Sequence, residues 1–283
     1  MKLRRRWFIY IPVIIFGIML NFKEFFTEPF MYAGLLNEHI VMAFTTTPHR
    51  INDIEPTIKS LLVQNAPLKA IYVSIPYKFK RDDLEYVIPK WLSDNKKITI
   101  LRTDDYGPAT KLLGVLKQVN LPPNAIIITV DDDIYYPRNL ALQLAFKAKH
   151  NPNYAIAISG SNLDSEDSWR GLRNNTTPDA FVSVVQGFSG IAYRRNFFDA
   201  DIFNIIHAPR ECINSDDLYI SFDLAKHGIK RQVLLNDFIK YNKIIWDNPV
   251  GLKDDALHNQ QHQKHRHEAC VAYMKAKDPR VIF

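Results

Sequence analysis

Short apolar runs alternate with helical stripes along most of this chain. Ile40 to Phe44, inside HIVMAFTTTPHR, form an unbroken apolar run that ends in a polar turn, as a buried strand does. Ile54, Ile58, Leu61 and Leu62 then fall at i, i+4, i+7 and i+8, one face of a helix. AIYVSIP (70–76) reads as a second strand, Leu84, Val87, Ile88, Trp91 and Leu92 as a second helix, and KITIL (97–101) as a third strand. TKLLGVLKQV (110–119) predicts a short helix and AIIITV (125–130) a fourth strand, followed by helix over 138–150 and strand over YAIAISG (154–160). VVQGFSGIAYRR (184–195) ends a further strand, and INSDDLYISFDLAKHGI (213–229) opens a helix with Leu218, Phe222 and Ala225 on one face. Strands alternating with helices of these lengths imply βαβ units, hence an α/β fold with a mostly parallel sheet flanked by helices. Such sheets bind ligands beyond the carboxyl ends of their strands.

The first residues break this pattern. KLRRRWFIYIPVIIFGIMLNF sets a basic cluster before an uncharged run from Trp7 to Leu20, extended by Phe22, Phe25 and Phe26. A membrane span needs about 20 apolar residues, with a range near 17–25. A cleaved signal peptide is the alternative, but no small-residue cleavage site follows the run. The reading adopted is an uncleaved single-pass anchor over residues 1–26, a spacer over 27–38 and one catalytic-sized domain over 39–283. The positive-inside rule keeps the basic end cytoplasmic and carries the rest across. That orientation implies a Golgi-type lumenal domain in a eukaryote, where Asn174 and Asn175 of NNTT would be glycosylation acceptors. A bacterial source would leave a cytoplasmic domain held at the inner membrane.

Composition narrows the class only a little. With 47% hydrophobic and 23% charged residues among 283, the chain is globular. Its formal charge of +6 gathers near the two ends, and no basic stripe interleaved with aromatics points to nucleic acid. Cys212 and Cys270 have no metal-binding spacing; two cysteines in a chain this long are ordinary for a reduced protein, so unpaired thiols are the favoured reading, with pairing the alternative if the domain faces an oxidising compartment.

Candidate chemistry concentrates where the fourth strand runs into Asp131, Asp132 and Asp133. Three adjacent carboxylates repel, so a positive partner is required. On extended backbone Asp131 and Asp133 point one way and Asp132 the other. Paired hard oxygens suit Mg²⁺ or Mn²⁺, which keep several waters and add phosphate oxygens from a substrate. A solvated turn capping the next helix would need fewer acids. The phosphohydrolase pattern D-x-D-x-[TV] fails at Tyr135, and it belongs at a first strand, not a fourth.

Residues 39 to 235 resemble nucleotide-sugar glycosyltransferases of the GT-A fold, near the family 2-like and exostosin-like groups. FTTTPHRINDIEPTIKSLLVQ resembles the family's first strand, loop and helix, where the loop meets the nucleotide; this brings in Thr46 and Arg50. DDYGPATKLLG (104–114) resembles the segment that contacts base and ribose, with Asp105, and with Lys111 placed for a phosphate. VDDDIYYP resembles the family's D-x-D motif, which carries a divalent metal bridging the diphosphate. The resemblance makes Asp133 the direct metal ligand, Asp131 a ribose or second metal contact, and Asp132 part of the donor site. Gly187 and Gly190 would admit a bound sugar, or simply form a hairpin turn. Asp217 and Asp216 match the family's acceptor-binding acids, one of which is the general base in inverting members, although Asp216 also fits a helix cap. A helix start should also lower the pKa of Asp217. His258 is the candidate to complete the metal site; His258 and His262 form an i, i+4 pair but lack the intervening Glu of a zinc helix, and the neighbouring histidines read as a solvated face. The function implied is transfer of a hexosyl or N-acetylhexosaminyl group from a nucleotide-diphosphate sugar to a carbohydrate, glycolipid or protein acceptor. A non-catalytic sugar- or nucleotide-binding protein and a Mg²⁺-dependent phosphohydrolase are the alternatives.

Overall fold

A computed structural model describes residues 27–163, 179–234 and 263–281. The predicted anchor, Asn174, Asn175, His258 and His262 lie outside them. No described helix is long and apolar enough to cross a membrane.

The described residues build one sheet of seven strands: β1 (Ile40–Thr45), β2 (Leu68–Pro76), β3 (Thr99–Thr103), β4 (Ile126–Thr129), β5 (Tyr154–Ser161), β6 (Val184–Arg194) and β7 (Lys230–Val233), in the order β3-β2-β1-β4-β6-β5-β7. Only β6 runs against the others, pairing antiparallel with β4 and with β5. The sheet is therefore Rossmann-like and mostly parallel, as the alternating pattern requires.

Helices cover both faces: α1 (27–35), α2 (Glu55–Leu62), α3 (Lys90–Ser93), α4 (Thr110–Gln118), α5 (Leu140–His150), α6 (Arg210–Ile213), α7 (Asp216–Lys226) and α8 (Gln263–Lys277). Period-two alternation sends Ile40, Met42 and Phe44 of β1 into a core shared with α2 and α5. Val41 and Ala43 enter the opposite core, filled by Leu112, Leu113 and Leu116 of α4 and by Ile220 and Leu224 of α7. A strand buried on both faces has no polar position, which is why β1 and β4 read as continuous apolar runs.

Two expectations are corrected here. Leu84 to Ile88 are not helical; Leu84 pairs with Phe79 in an antiparallel bridge, and only Lys90–Ser93 form a helical turn. Pro89 explains the difference: it sits at φ −68°, ψ 145°, and a proline disfavours helix in the residue before it. Second, residues 27–35 are helical where a spacer was expected. Leu35 is fully buried, the ring of Phe30 packs edge-on against Phe146, and the Lys149 ammonium donates to the Gly34 carbonyl at 2.5 Å.

Candidate active site

The chain leaves β1 toward β2 and β3 on one side and returns to β4 on the other. At such a reversal the loops after the two strands part and open a crevice. Thr46 to Arg50 follow β1 and Asp131 to Asp133 follow β4, so both segments flank that crevice.

The positive partners of the aspartates are Arg50 and Lys111. Asp132 is 1% exposed and points inward, where its Oδ1 lies 2.8 Å from Arg50 Nη2. The Arg50 fork reaches Asp133 Oδ2 at 3.1 Å through its other nitrogen. Asp131 Oδ1 accepts from Lys111 Nζ at 2.8 Å. The side chains of Asp131 and Asp133 stay 32% and 16% exposed, but the segment bends after β4, so Asp132 and Asp133 share Arg50 while Asp131 turns to Lys111, and the simple alternation of an extended strand does not describe it. The backbone is anchored as well, since Thr57 Oγ1 donates to the Asp132 carbonyl at 2.8 Å. Tyr136, which the sequence did not single out, accepts from Asp131 N at 2.8 Å and donates its hydroxyl to the Phe188 carbonyl at 2.7 Å.

Across the crevice stands the first turn of α7. Asp216 Oδ2 lies 3.2 Å from Lys111 Nζ, within ion-pair distance though not in hydrogen-bond geometry. Asp217 Oδ1 accepts from Gly187 N at 3.0 Å. Gly187 belongs to a bulge, not a hairpin turn: between the pairs Ala157–Ile191 and Ser159–Gln186, β5 advances two residues while β6 advances five. A Cβ on Gly187 would stand 2.8 Å from Lys111 Nζ and 3.0 Å from Asp217 Oδ1. Gly190 closes the bulge at φ +105°, and its Cβ position faces Leu140 and Leu144 of α5, so the structure sets it against the core and away from the acids.

Electrostatics correct one expectation. The Asp217 carboxyl is raised well above the usual carboxylate range, by burial first and then by the charge of Asp216; Lys111 offsets only part of this. Crowding at the bottom of a cleft outweighs the helix-terminus effect that predicts a lowered value. Asp216 is also no cap: Ser215 holds the N-cap position of α7, and no side-chain cap hydrogen bond forms there. Burial together with Asp132 and Asp131 pushes Asp133 up to about 7, despite Arg50.

The remaining candidates are engaged within the protein itself. Thr46 is buried, its carbonyl accepts from the Tyr86 hydroxyl at 2.9 Å, and its own hydroxyl makes no hydrogen bond of sound geometry, although it is close enough to favour ionised Asp132. Asp105 has both oxygens engaged by backbone, from Lys80 N at 2.7 Å and Gly107 N at 2.8 Å. It therefore clamps two loops together. Lys111 is 4% exposed and already faces two carboxylates, an environment unlike that of an open phosphate ligand.

The C-terminal helix departs furthest from the sequence reading. Cys212 of α6 and Cys270 of α8 form a disulfide, where unpaired thiols were expected. Both are fully buried beside Leu218, Phe222, Val271 and Met274. His267 is 8% exposed, not on a solvated face, and burial with the charge of Arg266 drives its pKa down to about 4. Arg266 was read only as part of the basic cluster near the C-terminus. It is half-buried, and its charge senses both Asp216 and Arg81. Its position four residues before Cys270, on the same helix face, was the available signal.

The residues present fit a small divalent cation. Four carboxylates, Asp131, Asp132, Asp133 and Asp216, pair with two cations, Arg50 and Lys111, Asp217 stands next to them on α7, and Asp132 Oδ2 is buried without a hydrogen-bond partner. Among the described residues no three His, Cys, Asp or Glu side chains converge as a ready-made cage. Mg²⁺ and Mn²⁺ sites use one or two carboxylates, waters and substrate phosphate, and so need no such cage. Set beside known protein families and curated proteins, the chain matches no family model and no curated protein.

Proposed function

We propose that this chain is a metal-assisted glycosyltransferase that moves a sugar from a nucleotide-diphosphate sugar to a carbohydrate, lipid or protein hydroxyl. One observation carries the reading. Two partly exposed aspartates, Asp131 and Asp133, lie at the strand-order reversal, and an acid pair at the start of α7 faces them across Lys111. Asp133 and Asp131 would hold Mn²⁺ or Mg²⁺, which when bound neutralises charge on a departing diphosphate.

In this reading Asp217 takes the acceptor proton. Its Oδ1 is fixed by Gly187 N. In an inverting transfer the acceptor oxygen forms a bond to the sugar carbon, the carbon–oxygen bond to the diphosphate breaks with its electron pair, and the hydroxyl proton passes to Asp217. A raised carboxyl is the stronger base, and a base works best with a pKa near the operating pH. Arg50 holds Asp132 and Asp133 in register from below. The disulfide supports placing this domain on the non-cytoplasmic side, since disulfides persist in oxidising compartments.

The test is a panel of nucleotide sugars offered with Mn²⁺ and a range of acceptors, with a phosphomonoester run in parallel. Transfer that chelator removes supports the reading. Phosphate release from the monoester alone makes the chain a hydrolase, and saturable nucleotide binding without turnover makes it a binding protein.

A further inference from the structure

Lys111 sits in the first turn of α4, buried, at the end of a helix where a cation is opposed by the backbone dipole. A position that breaks a local rule needs compensation from elsewhere in the fold. Here it comes from two distant segments: Asp131 after β4, at 2.8 Å, and Asp216 at the start of α7, at 3.2 Å. The β6 bulge lies against the junction: a Cβ at position 187 would stand 2.8 Å from Lys111 Nζ and 3.0 Å from Asp217 Oδ1, so a side chain there would push on both ends of the junction. Tyr136 ties the same bulge back to the Asp131 segment through the Phe188 carbonyl.

We propose that Lys111 is a positioning residue that locks the Asp131–Asp133 segment and the first turn of α7 into one geometry, instead of a ligand for phosphate. One ammonium then sets the separation of the two acid groups on which transfer would depend. The inference rests on the glycosyltransferase reading for its consequence in turnover, but the junction itself can be tested without any substrate.

Amide hydrogen exchange on the full chain, in wild type and in Lys111→Met, provides that test. The expected result is faster exchange, by about tenfold or more, confined to residues 131–136, 187–190 and 215–219. Leu112→Ala, a fully buried neighbour on the same helix, is the control for general destabilisation and should raise exchange across α4 and its sheet contacts. UDP and GDP binding with Mn²⁺ is measured on the same variants. Lys111→Met should hold nucleoside diphosphate affinity within about threefold, while kcat for transfer falls about 10²-fold, the scale of a misplaced catalytic group. Lys111→Arg should restore the exchange pattern in part. Exchange that stays at wild-type level, joined to a loss of diphosphate affinity beyond about tenfold, overturns the proposal and makes Lys111 a phosphate ligand. An exchange pattern identical to that of Leu112→Ala also overturns it, by showing bulk packing only. If the exchange signature appears and no nucleotide sugar is turned over, the junction stands and the glycosyltransferase reading fails.

Discussion

At the scale of single residues, the charge balance of the crevice makes two predictions. Asp133 is held near pKa 7 by burial and by its neighbouring aspartates, against about 4 for a free carboxyl. Between those values the metal-free folded state keeps a proton that the unfolded chain has lost, so stability declines as pH rises through this window. Asp133→Asn removes the titration. The variant should equal wild type in stability near pH 4 and exceed it by roughly 2–4 kcal/mol at pH 8, a gap read from urea midpoints in chelator. A gap that widens toward acid would contradict the sign. Asp217 supplies the second prediction. With its pKa raised, kcat/KM for transfer should climb with pH well above the ordinary carboxylate range before it levels, because kcat/KM reports the free enzyme. Asp217→Asn should lower kcat by about 10²–10⁴-fold with donor affinity nearly intact, as removal of a general base does. A profile already flat at pH 5 would assign the base elsewhere.

Among elements, α6, α7 and α8 pack on one another and build the side of the crevice that carries Asp216 and Asp217. The Cys212–Cys270 bridge joins α8 to the short helix four residues before Asp216, across a sequence separation of 58. Replacing both cysteines by serine should cost about 2–4 kcal/mol, since the unfolded chain regains the freedom of a long loop. Denaturant midpoints of the oxidised protein and the double variant measure this directly. Equal midpoints would mean that the bridge does not form in solution. The strand elements behave differently: β1 and β4 are defined by two-sided burial, so their apolar runs hardly misread. The stretch before α3 misread because its apolar spacing suits a helix while Pro89 forbids one.

For the molecule as a whole, α1 shifts the boundary of the folded unit. Glu28 Oε2 accepts from Asn65 at 2.8 Å, Leu35 is fully buried, and Lys149 pairs with Glu38 at 3.3 Å. A chain that starts at residue 39 loses all three contacts, whereas one that starts at 27 keeps them. Burying a leucine-sized side chain is worth about 1.5–3 kcal/mol, so the shorter chain should unfold at least that much more easily. Comparing the two by thermal or urea unfolding checks it, and identical stability would return 27–38 to a spacer.

By itself the sequence determined the alternation of strands and helices, the mostly parallel sheet, and the place of the three aspartates at a strand end. These follow from local periodicity and from the demand that β1 and β4 bury both faces. It also required a cation beside the aspartates without saying which. Only tertiary structure chose Arg50 and Lys111, separated from their partners by up to 105 residues, because pairing at that range depends on where the loops after β1 and β4 converge. The rise in the Asp217 pKa, the glycine bulge over Lys111, and the disulfide that draws α8 and Arg266 toward Asp216 were illegible for the same reason. Each depends on the distance between segments that the chain order does not constrain, and burial, not residue type, sets the energy of a charge placed there.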